Sequence, residues 1–138
     1  MFRIKDFKTK WLPNNKQEKK NKKELEKNSK RKSFYGSFVE KSDLCFDVGA
    51  NVGNRINPLL ELGARIVAVE PQKGCCEILK YKFGNKIEIV NKGLGDSESI
   101  KKFHISTNNT LSSFSDEWIN LTKNKRFKDY SWNKVVKV

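Results

Sequence analysis

The sequence has one histidine, three cysteines and no apolar run approaching the ~20 residues that a membrane-spanning helix needs. With His104 as the sole imidazole, a metal site has few nitrogen ligands to draw on. Cys45 and the adjacent Cys75 and Cys76 match neither a zinc-ligand spacing nor a disulfide framework. No metal is expected, and the three thiols are expected to be free in a reducing compartment. The opening residues, MFRIKDFKTKWLPNN, lack the apolar core of a secretory signal. These shortages point to a cytoplasmic protein without a membrane span. Acids are scarce as well: 16 Asp and Glu face 29 Lys and Arg, a net charge of +13.

The excess is uneven. Residues 1–42 carry 14 basic against 5 acidic side chains, and residues 43–138 carry 15 against 11. Residues 1–33 therefore read as a basic arm, helical or flexible, and residues 34–138 as an ordinary α/β body. From Lys16 to Lys32 the arm runs KQEKKNKKELEKNSKRK, with Glu18–Lys22 and Glu26–Lys30 at the i,i+4 spacing that supports a solvated helix. Such a charge run is either a solvated face or a patch for RNA, an acidic membrane or an acidic partner. It lacks the interleaved aromatics that would stack bases, which disfavours nucleic acid. Phe34, Tyr35, Phe38 and Val39 are expected to dock its end on the body.

The body alternates. DLCFDV (43–48) reads as a strand and NRINPLLELG (54–63) as a helix closed by Gly63, irregular or late-starting because of Pro58. RIVAVE (65–70) is a second strand, a continuous apolar run of the kind found where both sheet faces are covered. QKGCCEILKYKF (72–83) follows as a helix, and KIEIVN (86–91) as a third strand. Strand–helix–strand–helix–strand with short joints is the first half of a doubly wound parallel sheet. Beyond it the rhythm changes. SIKKFHI (99–105) and WNKVVKV (132–138) read as further strands, TNNTLSSFS (107–115) as a polar loop, and Ser115–Asn124 as a short helix with an N-terminal serine cap.

The first strand ends in CFDVGANVG, residues 45–53. A buried strand needs neither an aspartate nor two glycines four residues apart. In open parallel sheets, ligands bind beyond the carboxyl ends of the strands, and glycines let a ligand approach the backbone. A dinucleotide site would show G-x-G-x-x-G, but the position two after Gly49 is Asn51, and Asp47 would repel a pyrophosphate. The same aspartate suits a ligand with an ammonium and a sulfonium, such as S-adenosylmethionine, whose carboxylate would meet the following helix N-terminus. Glu70 ends the second strand, where it can accept ribose hydroxyls; that position fits NAD equally well. Asp96, just past the third strand in NKGLGD, suits an adenine amino group or a turn cap.

FDVGANVG, VAVEPQ and IEIVNKGLGD together resemble the FkbM family of S-adenosylmethionine-dependent methyltransferases, a class I, Rossmann-like group. The resemblance runs from about Phe34 to Val138. It implies cofactor roles for Asp47, Gly49, Asn51, Gly53, Glu70 and Asp96, and methyl transfer to a hydroxyl of a small molecule or sugar. Members continue past a segment like VVKV into a fourth core strand, so the chain is expected to carry the N-terminal, cofactor-binding portion of such a domain. The alternatives are an RNA methyltransferase that uses the basic arm and a non-catalytic piece that binds a partner. No residue stands out as a general base; His104, between Phe103 and Ile105, is expected to be structural. The composition favours no particular oligomeric state.

Overall fold

The structure, a computed structural model, describes residues 15–138; the start of the basic arm lies outside the described residues. Helix α1 spans Asn15–Tyr35, a stretch free of proline and glycine, and ends at Gly36. The i,i+4 pairs expected at Glu18–Lys22 and Glu26–Lys30 do not close. Glu24 instead pairs with Lys27 at 3.7 Å and with Arg31 at 3.3 Å. Exposed pairs of this kind stabilise a helix by a few tenths of a kcal/mol at most. Tertiary contacts therefore seat α1 on the body. Tyr35 and Val39 pack against the core, Lys32 reaches Glu61 at 3.0 Å, and Arg31 donates to the Asn54 carbonyl at 3.0 Å.

The body begins with β1 (Leu44–Val48), α2 (Ile56–Glu61), β2 (Arg65–Val69), α3 (Lys73–Phe83), a 3₁₀ turn at Gly84–Lys86 and β3 (Glu88–Val90). The strands pair in parallel in the order β1-β2-β3, with Phe46 opposite Val67 and Val67 opposite Glu88. Right-handed crossovers in a sheet that grows in one direction carry both helices to the same face. The core lies there: Ile56 and Leu59 from α2 and Leu79 and Phe83 from α3 cover Ile66, Ala68 and Ile87. Burying an Ile or Leu fully, as at Ile56 and Leu79, contributes roughly 1.5–3 kcal/mol each. Pro58 sits in the first turn of α2 and is fully buried, and the helix starts at Ile56, two residues later than the sequence pattern suggests.

β2, the strand expected to be covered on both faces, keeps Val67 only half-buried on the side away from the helices, and β1 beside it is more open still. Leu44, Phe46 and Val48 point away from the helices, and Phe46 is 62% exposed. Among the described residues the sheet never reverses its winding, so β1 is an edge strand, and the described part of the fold is an α/β unit wound in one direction.

Helix α4 (Asp116–Thr122) and strands β4 (Lys102–Ile105) and β5 (Lys134–Lys137) form a separate unit; β4 and β5 pair antiparallel in a sheet of their own. The Ser115 hydroxyl caps α4 by accepting from the Trp118 N–H at 3.0 Å, as its position predicts. Phe103 of β4 is buried against Phe114, ring centroids 4.5 Å apart, and this aromatic pair faces the carboxyl ends of the parallel strands.

Candidate ligand site at the carboxyl ends of the strands

A cavity of about 560 Å³ opens at the end of β1 and β2, within the size range of small-molecule sites. Gly49, Ala50 and Asn51 form its floor and Glu70 and Gln72 its inner wall. Phe103 and Phe114 close it from the hairpin side, and Asn109, Thr110 and Ser112 add a polar rim. Three cations, Arg31, Arg55 and Lys92, border it.

The loop after β1 turns sharply. Gly49 has φ 73°, Asn51 φ 49° and Gly53 φ 80°, all left-handed. The left-handed Asn51 is stabilised by a partner: its N–H donates to Glu70 Oε2 at 2.8 Å. Glu70 is only 2% exposed, and its other oxygen accepts from the Gln72 N–H at 2.8 Å and from Gln72 Nε2 at 3.2 Å. The acid at the end of β2 thus ties the glycine loop to the start of α3. Three of its roughly four acceptor positions are filled, leaving room for one further donor. Gln72 extends the tie outward, donating to the Asn109 carbonyl at 3.1 Å and accepting from the Ser112 hydroxyl at 3.1 Å. It joins the parallel sheet to the hairpin unit.

The six residues singled out in the sequence separate on the structure. Gly49, Asn51 and Glu70 line the cavity together. Gly53 does not; it faces the core side chains of Phe83 and Leu79. Asp96 lies exposed on the surface, where Ser97 and Lys101 hydrogen-bond to it, Lys101 at 3.3 Å, and hold its carboxyl below the usual range. Asp47 borders a second groove, along the open edge of β1 with Tyr35, Phe38 and Val39. Arg55 lines both spaces, its guanidinium 3.8 Å from Asp47 Oδ1. His104 is away from the cavity: its backbone bridges to Ser113, and Nε2 lies 2.9 Å from Asp116 Oδ1 but off the hydrogen-bonding direction.

Asp47 is 7% exposed, and its Oδ2 has no hydrogen-bond partner. Burial raises its pKa above the ordinary 3.8, with Arg55 opposing and Glu70 adding to the shift. A carboxylate whose pKa is raised on folding weakens the fold at neutral pH, and that penalty fades as pH falls through the range where it protonates. Asp47→Asn is therefore expected to raise the thermal midpoint at pH 7, with the gain shrinking toward pH 4. Melting curves of both proteins at the two pH values check this; a variant less stable at both would make Asp47 a structural requirement.

No family model matches the chain, and no curated protein matches it. Several solved chains resemble part of this one, among them a protein of known structure. That protein, described as a candidate RNA methyltransferase from Pyrococcus horikoshii, aligns at 22% identity with a TM-score of 0.46. The alignment spans 54% of this chain and 40% of that one, so less than half of the neighbour's length has a counterpart here.

Sequence reasoning missed Arg31 and Gln72. Arg31 carries one faint signal, being the sole arginine in the lysine-rich run from Lys16 to Lys32. Arginine suits planar, fork-shaped contacts that lysine cannot make. Gln72 carries none, because its partners Asn109 and Ser112 are about 40 residues away in sequence. No helix among the described residues is long and apolar enough to cross a membrane.

Proposed function

We propose that the cavity binds S-adenosylmethionine and that the chain is the cofactor-binding part of an FkbM-like methyltransferase acting on a hydroxyl of a small molecule or sugar. One observation carries the proposal. Gly49, left-handed at the end of β1, presents its bare α-carbon to the cavity with nothing within 4 Å of where a Cβ would stand, beside a buried carboxylate at the end of β2. An open backbone approach next to an acceptor for a ribose hydroxyl is what an adenosine-bearing ligand requires.

Bound there, the cofactor would supply an electrophilic methyl group for in-line displacement. The chain's own residues bind and orient it. Gly49 and Asn51 give the backbone surface, Glu70 takes one ribose hydroxyl, and Phe103 and Phe114 exclude water. Asp47 borders the neighbouring groove, not this cavity, so it would meet the ammonium group where the two spaces share Arg55; its unpartnered oxygen fits that role. Because Arg55 borders both spaces, the ammonium and the guanidinium compete for Asp47. Asp96 and Gly53 receive no ligand contact.

Calorimetric titration of S-adenosylhomocysteine into the chain tests the proposal. Saturable binding is expected. No binding by a chain that circular dichroism shows to be folded would reject the site.

A further inference from the structure

We propose that Arg31, on the basic helix α1, is the contact for the carboxylate at the amino-acid end of the cofactor. This inference rests on the cofactor reading above. A carboxylate arriving at the glycine loop usually relies on the N-terminus of the following helix. Here that helix is a poor candidate. It has six residues and starts at Ile56, whose N–H is engaged with the Gly53 carbonyl at 3.3 Å. The charge has to come from elsewhere.

Of the three cations around the cavity, Lys92 lies past β3, Arg55 lies 3.8 Å from the buried Asp47, and Arg31 pairs at 3.3 Å with the exposed Glu24 through Nη1 alone. Arg31 is held at the loop itself. Its Nη1 donates to the Asn54 carbonyl at 3.0 Å, to Asn28 Oδ1 at 3.0 Å and toward Glu24 Oε1 at 3.3 Å. Among the described residues Nη2 and Nε make no hydrogen bond, and Arg31 lines the cavity. A guanidinium already anchored through the two Nη1 hydrogens, which three acceptors share, loses little freedom on gripping a carboxylate with its remaining donors. The helix that looks from sequence like a solvated basic arm would then be a wall of the cofactor site, pinned by Lys32–Glu61 one residue on.

The test compares S-adenosylhomocysteine with 5′-methylthioadenosine, which shares the adenosine but lacks the amino-acid end, in the full chain and in Arg31→Gln. The homocysteine ligand is expected to bind the variant on the order of tenfold more weakly, the size of one lost charge-assisted contact. Methylthioadenosine is expected to bind both proteins equally. An equal loss for both ligands would mean that Arg31 only shapes the loop through Asn54 and would overturn the assignment. Unchanged affinity for both would overturn it too. Failure of the unaltered chain to bind either ligand would reject the cofactor reading itself, and the Arg31 contact with it.

Discussion

Glu70→Ala is expected to lower the thermal midpoint by on the order of 10 °C or more and to abolish detectable binding of S-adenosylhomocysteine. The two effects share a cause. The carboxylate is 2% exposed and accepts from the N–H groups of Asn51 and Gln72 and from Gln72 Nε2. Removing it leaves buried donors without acceptors, at about 1–3 kcal/mol for each unsatisfied group. It also frees Asn51 from the bond that holds a non-glycine residue at φ 49°, a conformation that costs roughly 1–2 kcal/mol by itself. A loss of about 2–5 kcal/mol follows, and a small domain shifts its midpoint by several degrees per kcal/mol. Glu70→Gln separates support of the loop from ligand contact. One amide oxygen still accepts from Gln72 or Asn51, so stability is expected to fall by roughly half as much. The amide nitrogen then meets a donor on the other side, so binding is expected to stay poor. Melting curves and calorimetry on both variants check this; a Glu70→Ala chain as stable as the parent would show that the carboxylate does not tie the loop.

That double duty bears on what could be read from the residues. Alternation of apolar runs with Gly and Pro punctuation was enough to place β1, α2, β2, α3 and β3 to within two residues at most boundaries, because each element's own packing sets its period. The Ser115 cap and the closing Gly63 were legible for the same local reason. What was not legible depends on neighbours distant in the chain. Val67 and Phe46 lie in apolar runs that look the same whether or not a layer covers them, yet Phe46 is 62% exposed. The i,i+4 spacing of α1 suggested pairs along the helix. The bonds that matter run from Arg31 and Lys32 across to Asn54 and Glu61, and no period within the helix encodes them. Glu70 was legible as an acid at a strand end, but its partners were not, since Gln72 and the turned-back Asn51 meet it only once the loop has formed.

The glycines show the same limit most sharply, and they give the second large effect. Both stand in the D-x-G-x-x-x-G phrase at left-handed φ, so the sequence presents them as equivalent. The structure separates them. A methyl group added at Gly49 meets nothing within 4 Å. Gly49→Ala therefore carries only the left-handed strain, roughly 1–2 kcal/mol, and is expected to fold. Its methyl would occupy the surface that the ligand approaches, so S-adenosylhomocysteine affinity is expected to fall steeply. At Gly53 the added carbon would stand 2.5 Å from Phe83 Cε2 and 2.8 Å from Leu79 Cδ2, both in the buried core. Gly53→Ala adds overpacking of about 1–3 kcal/mol to the same strain, a loss of about 2–5 kcal/mol in all. Marginal domains hold only about 5–15 kcal/mol in total. Denaturant midpoints should rank Gly53→Ala well below Gly49→Ala. Ligand titration, in whatever fraction of each variant is folded, should rank them the other way. If Gly49→Ala bound as tightly as the parent, the loop would not be the surface the ligand meets. Gly49 would then serve only the left-handed turn, and Gly53 the packing.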